Sequence, residues 1–237
     1  MIKENLEDIK IKIDAACRRA GRQNTEVTLI AVSKTKPLSM IEEAYAAGMR
    51  EFGENKPQEM RDKSKALEVP VHWHMIGSLQ TNKIKYVVGT ACMIHSVDSI
   101  SLAAAIEKEA AKKELVMDIL LEVNMAEEES KHGFSSKDVL VAVSELAKMS
   151  HLRLRGLMTV APYTENAEEN RIYFRKMKEL LVDINAKNID NVFMDTLSMG
   201  MSSDYEVAIE EGATMVRIGT GIFGERDYTL QANSQGE

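Results

Sequence analysis

Lys34 closes the apolar run Val27-Thr-Leu-Ile-Ala-Val-Ser33 and opens Thr35-Lys36-Pro37, so it sits where a buried strand reaches its carboxyl end. Near the far end of the chain, Val216-Arg217-Ile218-Gly219-Thr220-Gly221 is a second short strand running into a glycine-rich loop. Before it, Ser198-Met-Gly-Met-Ser202-Ser203-Asp204 supplies hydroxyls where the next helix would begin. A lysine amine condenses with an aldehyde, and hydroxyls with free backbone N–H groups at a helix start hold an anion. Together they suit an aldehyde-bearing phosphate held as a Schiff base. Side chains alternate along a strand, so Ile30, Val32 and Lys34 share one face, as do Met215, Arg217 and Gly219. If both faces point inward, Arg217 converges on Lys34 and lowers its proton affinity, which makes a usable nucleophile. Lys36 has the same parity and is the alternative amine, although Pro37 places it at the entry to a helix. The plain alternative is an exposed lysine past a strand end, a serine acting as an N-cap and glycines that only turn the chain.

The elements that must position these groups follow from periodicity. Residues 2 to 20 place Ile2, Leu6, Ile9, Ile13, Ala16, Cys17 and Ala20 on one helical face, and Gly21 stops the helix. Apolar runs then appear at 27–33, 50–52, 72–76, 92–95, 117–123, 152–159, 192–197 and 214–218. Helical stretches fall between them at 38–47, 56–67, 81–88, 99–113, 136–148, 166–187 and 203–211. Strands whose partners arrive after a helical crossover form parallel sheets, and eight such units predict a closed (β/α)8 barrel of the TIM type. An open doubly wound sheet is the competitor, but no GxGxxG follows the first strand. No linker is evident; residues 1–230 read as one domain and 231–237 as a short polar tail.

Composition excludes several classes. The 237 residues carry a formal net charge of -7 with a pI near 5.4, the wrong sign for a nucleic-acid footprint. The start, Met1 to Asp8, has no apolar core for a signal peptide, and the uncharged stretch from Tyr86 to Val97 is too short to span a bilayer. Cys17 and Cys92 form no CxxC pair and read as reduced core residues of a cytoplasmic protein. His72 and His74 share a strand face and could ligate a metal, yet the sequence offers no third ligand at a suitable spacing, so no metal is expected. Asn55, after a short second strand, either contacts a ligand or caps the next helix. Ser78 to Lys85 reads as a basic helix start near the same rim. The fifteen methionines, Met158, Met199 and Met201 among them, read as core or cavity lining.

These segments resemble the pyridoxal phosphate homeostasis proteins, the YggS/PROSC family. The matching stretches are Ala31-Val-Ser-Lys34-Thr-Lys-Pro37, Phe52-Gly-Glu-Asn55, His74-Met-Ile-Gly77, Leu79-Gln80-Thr-Asn82-Lys83 and Lys131-His-Gly133. Farther on come Arg155-Gly-Leu-Met158-Thr, Leu197-Ser-Met-Gly-Met-Ser202 and Arg217-Ile-Gly-Thr220 through Phe223-Gly224-Glu225. The resemblance implies a single barrel like the amino-terminal domain of alanine racemase, with an extra leading helix, that binds pyridoxal 5′-phosphate (PLP). By that match Lys34 carries the Schiff base; Ser202, Gly219 and Thr220 hold the phosphate; Arg217 faces the pyridine nitrogen; Asn55 and Met199 line the cofactor. Two departures touch the rim: Lys56-Pro57-Gln58 stands where Tyr-Val-Gln is common, and Ser78 where histidine is. The resemblance further implies a cofactor carrier in the PLP pool, with apo-PLP enzymes and amino or keto acids as partners. The alternative is a minimal amino-acid racemase, for which Tyr163 and Tyr205 are the candidate second bases.

Overall fold

The computed structural model describes residues 1–128 and 132–225, so the expected tail and Lys131 of the Lys-His-Gly motif lie outside the described residues. Eight parallel strands follow one another: β1 (Thr28–Val32), β2 (Glu51–Glu54), β3 (His72–Met75), β4 (Ala91–Val97), β5 (Met117–Glu122), β6 (Leu152–Met158), β7 (Thr196–Met201) and β8 (Met215–Ile218). Each pairs with its neighbours in chain order, and β8 returns to β1 with Arg217 opposite Ile30, which closes the barrel. Around it run α1 (Ile2–Arg19), α2 (Leu38–Ala46), α3 (Pro57–Ala66), α4 (Ile100–Lys112), α5 (Val139–Leu146), α6 (Arg171–Ala186), α7 (Tyr205–Glu210) and α8 (Thr220–Phe223). The helix expected over 81–88 is instead a 3-10 segment, Thr81–Tyr86, a geometry suited to such short pieces. Because α8 is a single turn, α1 takes its sector of the outer ring, packing against α2, α7 and α8, with Asn5 Nδ2 donating to Ile222 O at 2.9 Å.

Strands of a closed parallel sheet are covered on both faces, hence their nearly continuous apolar runs. The outer faces meet the helices: Phe52, Trp73, Ile94, Ile119, Leu157 and Val216 belong to the main core, and the Phe52 and Trp73 rings lie 6.1 Å apart. Each large side chain buried there contributes about 1.5–3 kcal/mol. Inside the barrel the apolar cluster is small, Met93, Leu120 and Met158 with Met215, and much of the remaining space is polar. Stability therefore resides mainly in the outer layer, and the lumen is given over to hydrogen-bonding groups.

Two expectations are corrected here. The seventh strand does not occupy 192–197 but begins at Thr196, because Asn185 brackets Met194 before the ladder starts, donating to its O at 2.8 Å and accepting from its N–H at 3.0 Å. Phe193, part of the apolar run, is exposed. Cys92 is not a core residue either. While β3 advances from Trp73 to His74, β4 advances from Ala91 to Met93, so Cys92 is the extra residue of a bulge and is exposed.

Candidate functional site

Lys34 is half-buried just past β1, and the backbone on both sides of it is tied down. Before it, Ser33 Oγ donates to Glu54 Oε1 at 2.6 Å, and Ser33 O accepts from Lys63 Nζ at 2.8 Å. After it, the Thr35 N–H donates to Glu59 Oε1 at 2.6 Å. Lys63 joins the two halves, reaching Glu54 Oε1 at 2.8 Å and Glu59 Oε1 at 2.7 Å. Glu59 and Lys63 meet because they are four apart on α3. Thr35 has φ of 64°, a left-handed conformation that costs a β-branched residue about 1–3 kcal/mol and that this clamp maintains. Glu54 is fully buried, and burial pushes its carboxyl above the usual range while Lys63 pulls it down.

Arg217, on the lumen face of β8, is buried; it donates to Ser198 Oγ at 2.6 Å and to Thr159 O at 2.8 Å. Burial pushes its guanidinium down to about 10 against the pull of Glu122 and Asp204, so it remains charged at neutral pH. Behind it runs a chain of hydrogen bonds through the lumen. Ser198 Oγ lies 2.9 Å from His95 Nδ1, His95 Nε2 lies 2.9 Å from His74 Nδ1, and His74 Nε2 lies 2.8 Å from Glu51 Oε2. Arg217 can only donate, so Ser198 accepts from it, and the Glu51 carboxylate can only accept, so His74 Nε2 donates to it. With one proton on each ring, both imidazoles carry it on Nε2, Ser198 donates to His95 Nδ1, and the chain of hydrogen bonds points toward the carboxylate. Burial first, then His74 and Arg217, hold His95 well below the usual imidazole value, which keeps it neutral. At the mouth, Glu122 is pushed up by burial and by Asp98.

The hydroxyls of Ser202 and Thr220 come within 3.2 Å of each other although they follow different strands. Gly200, with φ of 93°, makes that possible: a Cβ there would meet Ala208 Cβ at 2.6 Å and Tyr205 Cα at 2.9 Å. Asp204 braces the same turn, accepting from the Met201 N–H at 2.7 Å and from Asn170 Nδ2 at 2.9 Å. Gly219 passes close to β1, its added Cβ only 3.4 Å from Val32 O, and Thr220 opens α8, whose first N–H groups have no intrahelical acceptor. Lys36 is not a competing nucleophile in this geometry. Its Nζ donates to the carbonyls of Phe223, Gly224 and Glu225 at 3.2, 3.2 and 2.9 Å, capping α8. Asn55 leaves β2 with a buried Oδ1 that has no partner, and its backbone presses so close to Gly77 that a Cβ there would lie 2.4 Å from Asn55 O.

Met199, predicted to line the cofactor, does not face the lumen. Its side chain lies in the outer core, on the face of β7 opposite Ser198. Sequence reasoning missed His95, Glu59 and Lys63, and it named Ser198 and Glu54 only as members of longer stretches, without these roles. His95 was detectable as a polar residue in the apolar run 92–95, and Ser198 as one just past the run 192–197. The clamp from α3 had no comparable signal. Of the two tyrosines, Tyr163 is 90% exposed and Tyr205 packs in the main core.

A (β/α)8 barrel with a leading helix, a lysine after β1 and an arginine on β8 defines a barrel of the alanine racemase type, and the family model for the alanine racemase N-terminal domain matches residues 5–227. Within that class, the chain belongs to the pyridoxal phosphate homeostasis protein family. It is 45% identical to the member from Aquifex aeolicus over 95% of this chain and 98% of the relative. Against the member from Escherichia coli K12 it is 39% identical over 96% and 98%. Among solved structures it resembles PipY of Synechococcus elongatus with PLP bound, at 33% identity and TM-score 0.83, covering 94% of this chain and 100% of that one. Alanine racemase of Clostridium difficile, at 13% identity and TM-score 0.69 over 95% and 56%, shares the fold alone. No helix among the described residues is long and apolar enough to cross a membrane.

Proposed function

We propose that this chain binds PLP through Lys34 and serves as a carrier in the cytoplasmic pool of that cofactor, taking it up and passing it to apo-PLP enzymes. The observation that carries the reading is the clamp on both flanks of Lys34, which spends buried charge and a strained Thr35 on fixing one amine at the barrel mouth. The bound cofactor would supply an aldehyde, which condenses with the lysine amine with loss of water. The remaining roles fall to groups that suit it: the Ser202 and Thr220 hydroxyls and the Gly219 backbone for the phosphate, the orphan Asn55 Oδ1 for a donor on the ligand, and Arg217 toward the pyridine nitrogen. A guanidinium is donor-only and stays charged, so it favours an unprotonated ring, a weaker electron sink than one paired with a carboxylate. Tyr205 packs in the main core and Tyr163, 90% exposed after β6, is not fixed by packing, so neither is a pre-positioned second base, which favours carriage over racemisation. Amino or keto acids that react with the bound aldehyde would set how readily it leaves.

The test is the visible spectrum of purified protein with added PLP beside Lys34→Ala. A Schiff-base band in the wild type that the variant lacks is expected; its absence from both would sink the cofactor assignment. Carriage is tested by reactivation of an apo-enzyme, where no gain over free PLP would remove it. Exchange of an amino-acid α-proton in deuterated water, lost in Lys34→Ala, would instead establish the racemase alternative.

A further inference from the structure

We propose that Glu51, His74 and Cys92 form a site for a zinc-type divalent cation at the amino-terminal mouth of the barrel, the end opposite Lys34. The two histidines of β3 lacked a third ligand in the sequence because the other donors come from flanking strands: Glu51 opens β2, and Cys92 is the bulge residue of β4. One nitrogen, one sulfur and one carboxylate oxygen all lie within 4.8 Å of one another. Cys92 Sγ is 3.5 Å from His74 Nε2. Tetrahedral zinc with bonds of about 2.0 Å to nitrogen and about 2.3 Å to sulfur spans about 3.6 Å between those two donors, so this pair already has the required spacing. Glu51 Oε2, now hydrogen-bonded to His74 at 2.8 Å, must retreat to admit the ion. The tetrahedral span from nitrogen to oxygen is about 3.4 Å, a movement of about half an ångström for a side chain at the edge of the sheet.

The surroundings are those of a ligand set rather than a chance contact. His74 is 3% exposed, and its other nitrogen is held by His95 Nε2 at 2.9 Å, which fixes the ring plane. Glu51 is held from behind by His72 Nδ1 at 2.7 Å. Such outer partners orient metal ligands and tune their basicity. Cys92 and His72 are exposed, which leaves solvent access for entry and for a fourth, water ligand. A mixed nitrogen, sulfur and oxygen set selects zinc or cobalt over magnesium or calcium. The simpler account is a Glu51–His74 hydrogen bond beside a thiol that donates to Trp73 O at 3.2 Å; it does not call for Cys92 Sγ to stand at zinc–ligand spacing from His74 Nε2 as well. On binding, the Cys92 thiol gives its proton to solvent and His74 keeps one proton, moved to Nδ1. His95's own proton moves from Nε2 to Nδ1, so that Nε2 accepts from His74 and Nδ1 donates to Ser198 Oγ, and the ion sits at the far end of the chain that reaches Ser198 and Arg217.

Titration of metal-free, reduced full-length protein with Co2+ tests the assignment. Saturation near one equivalent, with a thiolate-to-cobalt charge-transfer band and the intense visible bands of a tetrahedral ion, is expected, and Zn2+ should bleach both. Cys92→Ser should abolish the charge-transfer band. Cys92→Ser and Glu51→Gln should each weaken binding by about tenfold or more, with circular dichroism unchanged. Absence of the band in the wild type, its persistence in Cys92→Ser, or equal affinity in wild type and both folded variants would overturn the site.

Discussion

Replacing Lys63 by Met isolates the clamp behind Lys34. The variant keeps the side-chain length but strands the Glu54 carboxyl, which is fully buried and whose Oε2 already lacks a partner. Removing one member of a buried ion pair costs about 3–5 kcal/mol. A second route leads to a similar figure. Without Lys63, burial and the neighbouring Glu59 charge are opposed only by the Ser33 hydrogen bond, so the folded-state pKa of Glu54 rises further above the unfolded value of about 4.3. A raised carboxyl favours folding fully below the unfolded pKa, and that advantage is lost as pH rises through the folded pKa. The slope is about 1.4 kcal/mol per pH unit, or about 3.7 kcal/mol between pH 4.3 and 7 if the group stays protonated. Burial also raises Glu54 in the wild type, which already has part of this slope. The difference between the proteins is therefore smaller than that limit, and the lost hydrogen bonds to Ser33 O and Glu59 add about 1–2 kcal/mol. Urea unfolding from pH 4.5 to 8 should show a deficit of about 3–5 kcal/mol at pH 7, or about 6–20 °C in Tm, shrinking to about 1–2 kcal/mol at pH 4.5. Glu54→Gln added to the variant should flatten the pH dependence and recover part of the loss. A deficit below about 1 kcal/mol at pH 7, or one unchanged with pH, would refute the assignment of Lys63 as the counter-charge of Glu54.

Three further expectations follow from particular contacts. In metal-free protein, nitrogen-15 NMR should find His74 and His95 both protonated on Nε2; a proton on Nδ1 of His95 would mean that Ser198 does not donate to it. Gly77→Ala should cost about 1–3 kcal/mol in chemical denaturation and weaken PLP binding, because the new methyl falls 2.4–2.9 Å from the backbone of Asn55; wild-type stability and affinity would show that the contact relaxes freely. Lys36→Met should lower stability by about 1 kcal/mol, about 2–4 °C in Tm, through loss of the α8 cap, while the Schiff-base band survives. Loss of that band instead would make Lys36 the reactive amine.

The barrel, the leading helix, Lys34 and the Ser202, Gly219 and Thr220 loops were legible in the sequence because each rests on local patterning. Apolar runs alternating with helical periods specify parallel strands with crossovers, and strand parity places Arg217 in the lumen. Tertiary structure decided what pairing across strands controls. The seventh strand starts later than its apolar run suggests, because Asn185 on α6 occupies the backbone of Met194. Met199 then faces the helices and Ser198 the lumen. The α3 clamp is invisible along the chain, since Glu54 and Lys63 read as ordinary surface charges until the fold buries them behind Ser33. Cys92 reads as a core residue because it forms no CxxC pair, a signal that cannot anticipate a bulge. One extra residue in β4, with respect to β3, turned a supposed core thiol toward His74. Local periodicity determines which elements form; the register between them determines which side chains meet.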